Sequence, residues 1–167
     1  LRYVADAEYA AYQDVESKRD RERWFKNYLE SQPEESDEVV ARAEFDILAP
    51  PGYFGHRKAF RHNGKYGKWL LKKPFIAVIN DTAFVHGGLH YFVTEHGLEG
   101  VNVGLKNDLS FYMSARDQLA DQEIISPIYR FKQIPALLKE KRDASQIHWR
   151  YQESVQAVID FSKSPLH

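Results

Sequence analysis

A histidine followed by two glycines is the feature of this sequence best suited to chemistry. His86 stands directly after the apolar run 82–85 and before Gly87 and Gly88. The pattern predicts an imidazole at the end of a buried strand, a position that suits a metal ligand. The two glycines would leave room for a metal ion or an anion to approach the backbone. The motif therefore predicts a metal site at His86.

Three polar residues near His86 extend this candidate site. His90 completes a His-x-x-x-His spacing with His86, and on a helix that spacing can chelate zinc. The intervening glycines argue against a helix there, so we assign His90 to the substrate side of the site or to the surface. Asp81 could orient a metal ligand, but Asn80-Asp81 between two apolar runs is more typical of a hairpin turn.

Basic residues before the histidine motif could contact a phosphate. Arg57 and Arg61 could clamp phosphate oxygens with paired hydrogen bonds. His56 and His62 could donate protons to a leaving group. For each of these residues the alternative is a basic loop that packs on neighbouring phenylalanines.

Composition excludes several classes of function. Hydrophobic residues make up 43% of the chain and the net charge is −1, which indicates a folded protein without bulk attraction to nucleic acid or to an anionic membrane. Residues 47–80 contain no Asp or Glu, whereas residues 57–73 are rich in Lys and Arg. The basic block over residues 57–73 either suits a phosphate-bearing substrate or is a solvated helix face. The absence of cysteine excludes thiolate metal sites and a cysteine nucleophile, and no apolar run approaches transmembrane length.

Helices with one strand pair are the elements that must position these residues. In the helix that begins near Ser36, the residues Val39, Val40, Ala43 and Ile47 are predicted to share a face. Trp69 and Leu70 are predicted to pack inward from a short helix. Strands are predicted over 75–80 and 82–86, and helices over 4–31, 36–48, 66–72, 89–96 with Gly97 as its cap, 105–121, 135–141 and 145–161.

The order strand, Asn-Asp turn, strand, Val-His-Gly-Gly-Leu resembles the histidine motif of calcineurin-like metallophosphatases, in particular the Shewanella-like branch of the phosphoprotein phosphatases. Residues 1–9 resemble the helix that follows the Gly-Asn-His-Glu motif of that family. Residues 55–71 resemble the segment that leads into its histidine motif. The likeness covers about residues 1–90 and is diffuse beyond them.

The resemblance implies an α/β fold in which this chain is part of a four-layer β-sandwich flanked by helices, with a mostly helical C-terminal half. Residues 1–167 would form a single partial phosphoesterase domain. The implied reaction is metal-dependent hydrolysis of a phosphorylated protein or a small phosphoester by two divalent ions, Mn, Fe or Zn. His86 would hold one ion, and Gly87, Gly88 and Asp81 would have structural roles.

Other motifs of that family are missing from this sequence. Gly-Asp-x-His-Gly, Gly-Asp-x-x-Asp-Arg-Gly and Gly-Asn-His-Glu would precede Leu1, and a Gly-His-Thr type motif would follow His167. We therefore expect an internal piece of a longer enzyme that is inactive by itself, and we assign no catalytic residue. Two alternatives remain open: an incompetent remnant of a phosphatase, and a helical binding module in which Val-His-Gly-Gly-Leu is only a tight strand exit. No nucleic-acid partner and no membrane segment are expected.

Overall fold

A computed structural model describes residues 4–85, 88 and 91–163, which form a mostly helical chain with one small sheet. The described residues group into two compact units. Unit 1 contains the residues up to Phe60 together with Ser126–Tyr129, and unit 2 contains Arg61–Ile125 and the residues from Arg130 onward. The sequence predicted one partial domain over residues 1–167.

Unit 1 is built from four helices around an aromatic core. Phe45 is fully buried, and its ring lies 5.5 Å from that of Phe25 and 6.0 Å from that of Phe54. Burial of such large side chains is the main favourable term for a unit of this size. The elements are α1 (Asp6–Ala10), a 3-10 turn (Gln13–Val15), α2 (Lys18–Glu30), α3 (Glu38–Leu48) and α4 (Tyr53–Ala59).

Polar groups fix the ends of the helices in unit 1. Asp37 caps α3, because its Oδ1 accepts hydrogen bonds from the amides of Val39 and Val40 at 2.7 and 3.2 Å. The helix predicted to begin near Ser36 is thus capped by the next residue, Asp37. The carboxylate of Glu16 accepts hydrogen bonds from the amides of Gly52 and Phe54 at 2.9 and 2.8 Å, which satisfies amides that the start of α4 leaves without helical partners.

The residues Val39, Val40, Ala43 and Ile47, which were predicted to share a face of α3, lie on one side of this helix, and that side is exposed. Val39 and Ile47 are 79% and 81% exposed, whereas Ala41 and Phe45 are buried. Both sets recur at helical spacing, so periodicity allowed either face. The large Phe45 ring decides the orientation, because it buries more apolar area against α2 than the valines would.

Unit 2 carries the hairpin and three packed helices. Helix α8 packs on both α6 and α7. Gly97 interrupts α6 with a non-helical backbone, φ 67° and ψ 171°, which agrees with the predicted helix end at this glycine. The elements are α5 (Lys65–Leu70), β1 (Ile76–Ile79), β2 (Thr82–Val85), α6 (Phe92–Asp121), α7 (Ile134–Asp143), a 3-10 turn (Trp149–Tyr151) and α8 (Gln152–Phe161).

The core of unit 2 is aliphatic, with an aromatic cluster beside it. Leu119, Leu138 and Val155 are fully buried where α6, α7 and α8 meet. The rings of Tyr112 and Phe161 stack with centroids 4.2 Å apart. No helix in the described ranges has both the length and the apolar character needed to cross a membrane.

The two strands form an antiparallel hairpin that is largely exposed. Ile76 pairs with Val85 and Ile79 with Thr82. Of the eight strand residues only Ile76 is buried, and all of β2 is exposed, so the prediction of two buried strands is wrong. The apolar run is typical of strands covered on both faces, but the described part of the chain supplies no third strand and leaves β2 exposed.

Helix α5 exposes the side chains that were predicted to pack inward. Trp69 and Leu70 are 53% and 40% exposed, so that prediction is wrong as well. The reason is Gly67, which is buried against Arg61 and Met113. The side of α5 that carries Gly67 therefore faces α6, and Trp69 is on the side that faces away. The mixed fold class and the mostly helical C-terminal half are confirmed at this coarse level.

Candidate functional site

The hairpin leads directly into the histidine motif. Asn80 adopts φ 53° at the turn, and Asp81 beside it is exposed with no ion pair to another described residue. The assignment of Asn80-Asp81 to a hairpin turn is confirmed by the pairing of Ile79 with Thr82. His86, Gly87 and His90 lie outside the described residues, so the roles assigned to them remain predictions.

Gly88 is the described residue of the motif. Its φ of 110° lies in the region that L side chains rarely adopt. A Cβ built at Gly88 would meet no described atom within 4 Å. The glycine is therefore required by the backbone conformation rather than by crowding, and any larger residue would strain the chain just after His86.

A side chain that the sequence analysis missed fixes the start of the hairpin. The Oδ1 of Asn102 accepts hydrogen bonds from the amides of Phe75 and Ile76, and its Nδ2 donates one to the carbonyl of Ile76, each at 2.8 Å. Asn102 thus joins α6 to the strand that precedes the turn. The available signal was an isolated amide between Val101 and Val103 in the apolar half of a helix, where Asn is unfavourable unless its side chain has partners.

Arg61 is held by carboxylates of α6. Its Nη1 and Nη2 donate to the two carboxylate oxygens of Asp121 at 2.7 and 2.5 Å, and its Nε lies 3.4 Å from Asp117. The hydrogen bonds to Asp121 raise the pKa of the Arg61 guanidinium. A phosphate would have to displace Asp121 to be clamped by this arginine. Arg57 belongs to unit 1, where its guanidinium lies 6.0 Å from the ring centroid of Tyr53.

His62 contacts a serine in an arrangement that resembles a nucleophile and its base. Its Nε2 lies 2.9 Å from the Oγ of Ser110, and its backbone amide donates to Asp117 at 2.7 Å. Ser110 sits in the middle of α6, where backbone amides are bonded within the helix and cannot serve as an oxyanion hole. The contact therefore positions the loop that precedes α5.

His56 is buried among aromatic rings of unit 1. It is 9% exposed, and its Nδ1 has no hydrogen-bond partner among the described residues. The rings of Tyr9, Tyr12 and Phe60 lie 5.2, 5.1 and 4.7 Å from the imidazole. Burial lowers the pKa of His56, and the charge of Arg57 lowers it further. His56 is thus a neutral core residue at pH 7, which disfavours the predicted role as a proton donor.

Four lysines and one tryptophan form a row on α5 and the turn after it. Their positions follow helical spacing. Beyond the end of α5, the amides of Leu71, Lys72 and Lys73 donate hydrogen bonds to the carbonyl oxygens of Gly67, Trp69 and Leu70, respectively. Within the described residues none of the four lysines makes an ion pair with a carboxylate. We call this surface the α5 lysine stripe; it comprises Lys65, Lys68, Trp69, Lys72 and Lys73.

A two-metal centre needs more donors than this part of the chain brings together. Residues 4–85, 88 and 91–163 contain no group of three or more His, Asp and Glu side chains that could hold an ion. His86 and His90 lie outside these ranges. One histidine cannot hold two ions, so the other donors implied by the resemblance would have to come from elsewhere in a longer protein.

Comparison of the chain with family models, with curated proteins and with solved structures gives no match.

Proposed function

We propose that this chain is part of a metal-dependent phosphoester hydrolase in which His86 is a metal ligand. The observation that carries the proposal is the position of the motif: His86 follows the last residue of β2, and Gly88 adopts a left-handed backbone two residues later. A histidine between a strand end and a glycine with a positive φ suits a ligand that must reach beyond the strand tip.

The proposed fold is a four-layer β-sandwich to which the exposed hairpin would contribute two strands. The apolar residues on both faces of the hairpin support this, because strands of that composition are typical of sheets covered on both sides. When bound, two ions of the Mn, Fe or Zn type would polarise phosphoryl oxygens and lower the pKa of the attacking water.

The residues of this chain that would serve the substrate are basic. The substrate would be a phosphorylated protein or a small phosphoester, and the positive block over residues 57–73 would attract its charge. Arg61 would first have to leave Asp121 to make such a contact, and Arg57 is assigned to the substrate from the sequence alone. His90 would lie on the substrate side.

The test uses the full-length gene product that contains this chain. We expect about two tightly bound divalent ions per chain by elemental analysis, as a two-metal site requires. His86→Ala should lower the metal content and abolish hydrolysis of a phosphoester while circular dichroism shows an unchanged fold. His96→Ala, which changes an exposed histidine, should alter neither. Hydrolysis retained by the His86 variant would remove this residue from the metal site.

A second candidate is a non-catalytic interaction module, and the exposed hairpin favours it. Val78, Ile79 and Phe84 are each more than half exposed, and exposed apolar groups of this kind often mark an interaction site. The same elemental analysis separates the two candidates. A folded full-length protein that binds no metal ion would fit the interaction module and exclude the hydrolase.

A further inference from the structure

The α5 lysine stripe is directed away from the core of unit 2. On the opposite side of the helix, Gly67 is buried, and a Cβ built there would lie 3.2 Å from the Cε of Met113 in α6. Lys65, Lys68, Lys72 and Lys73 are all exposed. The contact at Gly67 therefore fixes which side of α5 faces solvent.

The charge of the stripe is not balanced locally. Residues 47–80 contain no acidic residue, and the ion pairs of the described chain involve none of these four lysines. Lys65 and Lys68 are neighbours on the surface of α5, three residues apart, and the repulsion between their like charges costs stability. A short helix that keeps such a cost without a neighbouring carboxylate is suited to an anionic partner.

An apolar surface lies within the same stripe. Trp69 is 53% exposed, and the Nζ of Lys73 lies 4.9 Å from the centroid of its ring. Leu70 beside it is 40% exposed. Tryptophan is a frequent anchor of protein-binding hot spots, where its ring supplies contact area. The charges around it would orient the partner.

We propose that the α5 lysine stripe binds an acidic polypeptide segment that carries an apolar side chain, with the carboxylates on the lysines and the apolar side chain on Trp69. From Lys65 to Lys72 the stripe is about 10 Å long at 1.5 Å per helical residue. That length matches about three residues of an extended peptide at 3.3 Å each, so the partner segment is short.

Charge complementarity favours a polypeptide over a nucleic acid. The whole chain has a net charge of −1 and a pI of about 6.7, whereas nucleic-acid-binding domains carry extended basic surfaces. Single-stranded nucleic acids also stack successive bases on several aromatic side chains, and the stripe offers one. The proposal needs no metal ion, so it does not depend on the hydrolase proposed above.

The test is fluorescence anisotropy with the full-length protein in the presence of a chelator. The probe is a labelled, unphosphorylated peptide rich in Glu with one Phe. The variant Lys68→Glu with Lys72→Glu should weaken binding by about tenfold or more, since two attractive charges become repulsive. The control is Lys132→Glu with Lys139→Glu, which changes the net charge equally at exposed sites of the same unit and should weaken binding less than about twofold.

Two further measurements complete the design. Binding of the wild-type protein should weaken between about 0.01 M and about 0.1 M ionic strength, as the Debye length falls from about 30 to about 10 Å, and Trp69→Ala should remove most of the binding that persists at the higher salt. Circular dichroism checks the fold, and Lys68→Gln with Lys72→Gln replaces the charge-reversed variant if that one is unfolded. No binding by the wild-type protein, equal losses in the stripe and control variants, or tighter binding of a single-stranded DNA oligonucleotide would each overturn the proposal.

Discussion

At the scale of single residues, close packing at Gly67 fixes the position of the α5 lysine stripe. A Cβ built at this position would lie 1.9 Å from the carbonyl oxygen of Arg61 and 2.8 Å from its carbonyl carbon. Both are backbone atoms, which cannot move aside as the end of a side chain can. The glycine thus allows α5 to approach the loop that Arg61 begins.

Replacing Gly67 by alanine should destabilise the protein. We expect Gly67→Ala to lower the free energy of unfolding by about 1–3 kcal/mol, the usual cost of overpacking, as measured by urea denaturation. Gly104→Ala is the matched control, because a Cβ at Gly104 in α6 meets nothing within 4 Å among the described atoms. The control should raise stability by about 0.5–1 kcal/mol. Similar effects of the two substitutions would contradict the close contact at Gly67.

At the scale of elements, the sequence predicted several breaks between elements better than which sides the elements bury. The single helix predicted over 4–31 is an exception, because the structure divides it into α1, a 3-10 turn and α2. The break after α3, the hairpin turn at Asn80-Asp81 and the interruption at Gly97 follow from local backbone preferences of Pro, Asn, Asp and Gly. The buried side of α3 and the exposure of β2 depend on residues distant in sequence. Local patterns do not contain that information.

The candidate site was predictable to a similar extent. The turn before His86 follows from Asn80-Asp81 in the sequence itself, whereas the positive φ of Gly88 was not predicted. The hydrogen bonds of Asn102 to β1 and the carboxylates that occupy Arg61 join positions far apart in the chain. Such pairs can be recognised only once α6 lies beside the loop and the hairpin.

The link between Asn102 and the hairpin can be tested at this scale. Asn102→Ala removes the partner of two amides and one carbonyl and should lower the free energy of unfolding by about 1–3 kcal/mol. In hydrogen exchange, the amide of Phe75 should lose its protection, since Phe75 precedes the first residue of β1. Asn102→Asp keeps the accepting oxygen and should retain that protection. Unchanged exchange at Phe75 in the alanine variant would contradict the contact.

At the scale of the whole molecule, the pH dependence of stability should come partly from unit 1. Burial and Arg57 lower the pKa of His56 in the folded state, while Glu8 opposes them. The folded state therefore binds fewer protons than the unfolded state just below the unfolded pKa of about 6.5. The stabilisation is complete above that pKa and decreases as the pH falls toward the lower folded value.

Thermal denaturation followed by circular dichroism at pH 7.5 and pH 5.5 checks this expectation. The Tm of the wild-type protein should be lower at pH 5.5 than at pH 7.5. The Tm of His56→Phe, which keeps an aromatic ring among Tyr9, Tyr12 and Phe60, should decrease less. His96→Ala, at an exposed position, should behave as the wild type does. An equal fall in all three proteins would assign the pH dependence to other groups.

The distribution of tryptophan gives each unit its own optical signal. Trp24 in unit 1 is 4% exposed, whereas Trp69 and Trp149 in unit 2 are 53% and 78% exposed. Acrylamide should therefore quench the red-shifted emission of the latter two and leave the blue-shifted emission of Trp24. A ligand that covers Trp69 would shield part of the quenchable fraction without changing the Trp24 component, so the unlabelled protein can report which unit has been occupied.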